Sequence, residues 1–388
     1  MDQRRSFALA TAANFLFFVS VTSFFSLPVQ LERLGADRAE IGRIVGVFGL
    51  ASLIGIPLTG ALVDRHGRRP FMIAGALLWA LCAFGFAELG ALGSAVYVLR
   101  IGQGTAFSLA FVALNALLVD LAPKGGLGKA IALFGATTLL AHAIGPSLGE
   151  WLALRLGFVT LFRAAGLVAL LPLALFLVLP LAPRQPAAPE ADASMLALAV
   201  RAGARSALAA GLLSAVAFGT AIHFMPIFVR ARGLKSHGPF FVAYVVSALF
   251  VRLLAGGLGD RIGHRRVGVL AALAFSVSVM ACALIHRVEE LAAVGLAFGA
   301  AHGWGYPSYN ALFVEGAPEG ARGRAMALFN LSFNVGMTIA AFAAGELAER
   351  VGYSGMWLVM GTAAGFGGLA LVLDRGRPDA LSGSLDRA

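Results

Sequence analysis

Charge is scarce in this chain. Of 388 residues only 13% are Asp, Glu, Lys or Arg and 59% are hydrophobic, with a mean hydropathy of +0.84, whereas an ordinary soluble domain carries roughly 25% charged residues. That shortage excludes a soluble globular protein. Cysteine is scarcer still: Cys82 and Cys282 each lie in an apolar run, in opposite halves of the chain. They make no disulfide framework or thiolate metal site, and both read as small buried hydrophobes. The strict alternation of apolar and polar residues that marks a transmembrane barrel is missing. Missing too are the HExxH, GxSxG and GxxxxGKS patterns, so neither an enzyme nor an ATP-driven machine is expected, and no cofactor. No carboxylate sits near the middle of any apolar run.

What remains is a series of long apolar runs, roughly 7–29, 40–61, 71–90, 94–118, 129–152, 159–181, 206–229, 239–258, 267–286, 290–313, 325–347 and 355–373. Lipid requires every backbone polar group to be satisfied within the segment, so each run of about 20 residues is predicted to be a membrane-spanning helix. The first run is too long for a signal peptide and lacks a small-residue cleavage site, so it is read as a retained span. The fold class predicted is an all-α polytopic membrane protein with twelve transmembrane helices in two six-helix sets. The boundaries expected are a first bundle over 1–181, a linker over 182–205, a second bundle over 206–374 and a tail over 375–388. The linker is the longest polar, Pro- and Ala-containing stretch of the chain.

The net charge of +10 is spread in short basic groups between the apolar runs, which argues for membrane topology and against nucleic-acid binding. With the N-terminus inside, eighteen Lys and Arg fall in inner segments or at inner span ends and ten in outer ones, with Arg100 and Arg252 left well inside spans. By the positive-inside rule both termini are expected in the cytoplasm, with the chain in the cell inner membrane.

The chain also repeats itself. GALVDRHGRRP, from Gly60 to Pro70, recurs as GGLGDRIGHRR from Gly256 to Arg266; NALLVDLAPKGGLGKAIALF from Asn115 aligns without a gap on NALFVEGAPEGARGRAMALF from Asn310. GEWLALRLGF from Gly149 resembles GELAERVGY from Gly345. The halves are therefore parallel copies, an arrangement that places a path between them around an axis along the membrane normal.

With these motifs the sequence resembles the major facilitator superfamily over nearly its whole length. Gly60, Leu62, Asp64, Arg65, Gly67, Arg68 and Arg69 match that family's GxLaDRxGRR loop. Gly256, Leu258, Asp260, Arg261 and Gly263 form a degenerate second copy, with His264 where arginine is usual. Arg100, Gln103 and Gly104 match its RxxQG element, and Gly145, Pro146 and Gly149 match part of the GPxxGG element of antiporters, with Glu150 in place of the last glycine. The resemblance implies a secondary transporter that moves a small organic solute by alternating access, as proton-coupled efflux. The alternatives are uptake with protons, or facilitated diffusion, of a small organic anion; a sensor or enzyme is the reading outside transport. The partners implied are the solute, protons and the bilayer, with the chain acting as a monomer.

Site expectations follow from the chemistry of each position. A tight loop between spans needs residues tolerant of positive φ, which Gly67 and Gly263 supply. Asp64, at a helix C-terminus, is disfavoured by the macrodipole unless Arg65, Arg68, Arg69 or another helix N-terminus answers it. A latch to the start of the eleventh span, near Gly323 and Arg324, is therefore expected in one of two states. Arg100 sits several residues inside a span, where charge is costly; it is expected either to meet an anion or Glu150, or to be tied to backbone carbonyls with Gln103. His142, His223 and His302 are candidates for the coupled proton. Trp304, Tyr306 and Tyr309 in HGWGYPSYN, a stretch loosened by glycines and Pro307, are candidate pocket residues beside Asn14, Asn115, Tyr244 and Asn310. Gly145, Pro146 and Gly149 are assigned to helix packing, as are most of the 48 glycines. No metal site is expected.

Overall fold

A computed structural model describes residues 3–122, 127–178, 195–201, 203–254 and 257–374. The first half runs α1 (Gln3–Ser23), α2 (Leu27–Arg33), α3 (Arg38–His66), α4 (Arg69–Ala87), α5 (Ser94–Leu121), α6 (Leu127–Arg155) and α7 (Phe158–Val178). The second runs α8 (Met195–Val200), α9 (Ala204–Ala231), α10 (Gly238–Leu254), α11 (Leu258–Ile262), α12 (His264–Ala281), α13 (Val288–Glu315) and α14 (Arg322–Leu373). Among the described residues all regular structure is helical. The fold class expected is observed.

Nine of the helical segments are long and apolar enough to cross a membrane, counting α1 and α2 with their linking turn as one. The longest, α14, has 52 residues and is broken at Gly352, where φ is +71, so it covers the last two expected spans. The two expected spans outside the nine are α10, which has only 17 residues, and α13, whose middle holds the polar HGWGYPSYN stretch. The run predicted over 239–258 thus ends early as α10 and resumes as the short α11. Much of the expected linker, and Gly256 of the second loop motif, lie outside the described residues; the linker's end forms α8, and α9 begins at Ala204.

The repeat is visible in the packing. In the first half α1 packs on α6, α3 on α5 and α4 on α7; in the second, α9 packs on α14, α10 on α13 and α12 on α14. The halves meet through α3 against α14 and α6 against α10, the same contact made twice. Hydrophobic drive between helices is weak in lipid, so small residues and polar links hold the bundles together. Trp79 donates to Ser20 Oγ at 2.9 Å, Ser20 to the Ala165 carbonyl at 2.7 Å, and Asn14 to Thr138 at 3.0 Å.

Candidate functional site

The bundle has two unlike ends. At the end away from the chain termini the halves touch backbone to backbone. A Cβ added to Gly42 in α3 would lie 2.7 Å from the Ala341 carbonyl oxygen and 2.9 Å from Gly345 Cα, and one added to Gly345 would lie 2.7 Å from the Arg38 carbonyl oxygen. Only glycine permits that approach. Arg38 crosses the same seam, donating from Nη1 to the Ala348 carbonyl at 2.8 Å, while its backbone N–H reaches Glu349 at 3.3 Å.

On the other seam Glu150, near the end of α6, caps the N-terminus of α10. Its carboxylate accepts from Ser236 Oγ at 2.5 Å and from the backbone N–H groups of His237 at 2.8 Å and Gly238 at 3.1 Å. A carboxylate is favoured there, because the unpaired N–H groups and the dipole both point at it. His237 is buried beside it, with Nε2 3.5 Å from Glu150 and 3.5 Å from Ser26 Oγ. Burial pulls the His237 imidazole below its usual range, and the Glu150 carboxylate offsets only part of that. Arg230 of α9 pairs with Glu32 of α2 at 3.2 Å, adding a third link across the halves at this end.

At the opposite end the charged loop faces outward. Gly67 turns the chain at φ +84 and Gly263 at φ +91. Asp64 and Arg65 are exposed, and Asp64 has no hydrogen bond or ion pair among the described residues. Gly60 and Gly323 each have open space where a side chain would stand. The contact of Asp64 with the start of α14 is thus absent from this state. Arg68 does not answer Asp64 either: it pairs with Asp120, at the end of α5, at 2.8 Å. Arg69 is half-buried. In the second copy Asp260 pairs with His264 at 3.3 Å, and Arg261 is exposed.

Between the ends, Arg100 is 5% exposed and occupied. It donates to the Ile44 and Val45 carbonyls of α3 at 3.3 and 3.4 Å and to Gln103 Oε1 at 2.7 Å, and it lies 4.7 Å over the Phe48 ring. Of the two arrangements expected, the tie to backbone carbonyls is the one observed. The pairing with Glu150 is not made, because Glu150 is engaged at the start of α10. Arg100 lines a cavity with Phe25, Phe48, Trp79 and, from the second half, His223; it holds about 390 Å³ of empty space, mouth included.

The other two histidines belong to a ladder of rings that crosses from one half to the other. His142 donates from Nδ1 to the Thr138 carbonyl at 2.8 Å and sits 5.6 Å from Phe25 and 6.5 Å from Tyr244. Tyr244 is 6.0 Å from His302, which stacks on Phe218 at 4.5 Å and lies 5.8 Å from Tyr306. Tyr306 donates to Asn330 at 2.6 Å, and Tyr309 donates to the Gly268 carbonyl at 3.2 Å. With Ser214, Phe275, His302 and Phe333 these tyrosines line a second, smaller cavity within the second half, with about 200 Å³ of empty space, mouth included. Tyr309 therefore braces α13 on α12, while Tyr306 and His302 belong to the ring ladder. Trp304 is half-buried.

Gly145 and Gly149 seat α6 on α1. A Cβ at Gly145 would fall 2.9 Å from the Val19 carbonyl, and one at Gly149 3.0 Å from the Ser23 carbonyl. Pro146 lies within α6 without ending it. No cluster of metal-binding side chains occurs among the described residues.

The comparisons with known proteins agree with this architecture. The Major Facilitator Superfamily profile matches residues 7–251 and 238–387. The chain belongs to the major facilitator superfamily. Among curated relatives it is similar to the multi-drug resistance efflux pump PmrA of Streptococcus pneumoniae, at 24% identity over 373 residues, covering 89% of this chain and 90% of that protein. Among solved structures it shares its fold with the nucleoside transporter NupG, with a TM-score of 0.80 at 15% identity over 95% of this chain and 99% of that one. A D-xylose-proton symporter matches with a TM-score of 0.75 at 17% identity over 96% of this chain and 98% of that one. The chain is accordingly a multi-pass membrane transporter of this superfamily.

Sequence reasoning did not single out Ser236 and His237. The signal was present in the SHGP stretch that opens α10, because helix starts attract carboxylates. Their partner lies in the other half, which no local pattern reveals.

Proposed function

We propose that this transporter exports a small organic solute by alternating access, exchanging it for protons across the cell inner membrane, with both termini in the cytoplasm and the monomer as the working unit. The observation that carries the reading is the contrast between the ends. The halves are joined by glycine seams and cross-half carboxylates at the end away from the termini, and Asp64 has no partner among the described residues at the other. With the termini inside, this is the inward-open member of a pair of states. In the other member Asp64 docks at the start of α14 near Gly323 and Arg324 as the seams part. The multidrug efflux relative supports the outward direction. His142, His223 and His302 are the candidate proton carriers, and the ring ladder is the candidate solute path.

Reconstitution into liposomes holding a pH-sensitive dye tests the reading. Pools of drugs, sugars and carboxylates are added outside, and the wild type is compared with Asp64→Asn. A pool that drives proton movement opposite to its own, lost in the variant, is the outcome expected. Equilibration of labelled solute with no proton movement from any pool would replace coupled efflux with facilitated diffusion.

A further inference from the structure

The two arginines inside spans have opposite fates. Arg100 has its donors placed on carbonyls and Gln103. Arg252, in α10, has no hydrogen bond or ion pair among the described residues, and its Nε is buried without a partner. It stands in the last turn of α10, two residues before Leu254, with its side chain only partly exposed. Counted from the sealed ends of their helices, Arg252 in α10, His142 in α6 and His302 in α13 all stand about 20 Å deep.

The face of α10 that carries Arg252 is set by its neighbours. Phe241, Ala248 and Arg252 follow i, i+7, i+11 spacing, one stripe of the helix, while Val242, Val246, Phe250 and Leu253 are exposed on the opposite side. Phe241 packs on Phe25 of the first half at 5.8 Å, so this stripe turns toward the space between the halves. Arg252 is within electrostatic reach of His142 from the first half and of Tyr244, His302 and Tyr306 from the second. None of these is acidic. This cation thus has no acidic partner among the described residues, and a guanidinium offers the fork of donors that matches a carboxylate.

We propose that Arg252 is the carboxylate-binding subsite of the transport path, and that the solute is an organic anion with a flat apolar body lying along the rings of His142, Tyr244 and Tyr306. This rests on the reading of the chain as a solute transporter and narrows its substrate class. The rings supply flat apolar surface on both halves, and Arg252 supplies the charge. A carboxylate that enters satisfies the guanidinium in the place of a protein acid, and its departure leaves the cation uncompensated again.

The test uses the full chain in detergent and isothermal titration with 2-naphthoate, 2-naphthamide and 2-naphthylmethylammonium, which share one ring system and differ in charge. Wild type is expected to bind the carboxylate about tenfold or more tighter than the amide and the ammonium, the scale of a charge-assisted contact. Arg252→Gln is expected to erase that preference and Arg252→Lys to keep part of it. Equal binding of all three probes by wild type, or an anion preference untouched in Arg252→Gln, would overturn the proposal. Should Arg252→Gln fail to fold, phenylglyoxal labelling of wild type decides. Slower modification of Arg252 in naphthoate than in naphthamide supports the subsite, and equal rates refute it. Binding is read without a membrane, so loss of coupled proton flux in liposomes with naphthoate selectivity intact would sink the efflux reading alone.

Discussion

The sealed end and the open end spend their charged groups differently. At the sealed end some links cross between halves, Arg230 to Glu32, Glu150 to the start of α10, and Arg38 with Glu349, beside pairs within a half such as Arg163 with Glu88 and Arg350 with Glu346. At the open end the pairs of Arg68 with Asp120, His264 with Asp260 and Glu315, and Arg265 with Asp374 each lie within a half. Asp64 alone of the loop motif's acids is left over. Closure in this fold therefore requires more than nearby charges; it requires partners in the opposite half, set where helix backbones come within glycine distance.

The largest expected disturbance of that contrast is Gly42→Leu, which forces a side chain into the α3–α14 seam where a Cβ already stands 2.7 Å from a carbonyl oxygen. Overpacking of a tight contact costs about 1–3 kcal/mol, roughly a 5- to 150-fold loss in the sealed-to-open ratio. Pulsed-EPR distances between labels at Leu156 and Lys235, one on each half, should lengthen; an unchanged distribution would show that the seam does not hold the end shut. Glu150→Gln keeps the shape and removes the charge at the α10 N-terminus, with an expected shift in the same direction of about 1 kcal/mol. If the label distances do not move, the cap is bystander chemistry.

Asp64→Asn acts on the other end. Asp64 has no hydrogen bond or ion pair among the described residues in the present state, so the sealed distances should persist, while the sealed population rises by several-fold because the opposite state loses its latch, a coupling of about 1 kcal/mol or more. Transport should fall in parallel. Full activity in this variant would remove the latch from the mechanism.

The smallest effect expected is with pH. The His237 imidazole is held below its usual range by burial in the sealed state, so that state binds fewer protons there than one in which the histidine is hydrated. Its contribution is present above the ordinary histidine value of about 6.5 and fades as the pH falls toward the depressed value, by at most about tenfold in the ratio per pH unit. Label distances titrated from pH 8 to pH 5, with His237→Gln as the flat reference, read this directly. A shift toward sealing in acid would contradict the sign.

Much of the fold was legible because lipid leaves a backbone few choices, and the apolar runs matched the helices to within a few residues at most ends. The repeat was legible because the copies kept Asn115 and Asn310 in register. Contacts between distant segments were not. The acceptors for Arg100 are carbonyls of Ile44 and Val45, and every residue has a carbonyl, so no side-chain pattern could choose between that fate and an ion pair. Glu150 was noticed as a departure from a glycine motif, yet its partners begin 86 residues later in the other half. Arg68 stands four positions from Asp64 in the sequence, whereas the fold brings it to Asp120 across a helix packing.

The seam at Gly42 and Gly345 and the seam at Glu150 and Gly238 are one contact repeated by the pseudo-twofold relation of the halves. Two pivots fixed to the same pair of bodies leave them a single way to move. A disulfide placed across either seam, far from the other, should therefore immobilise both, and reducing that one bond should free the whole molecule at once.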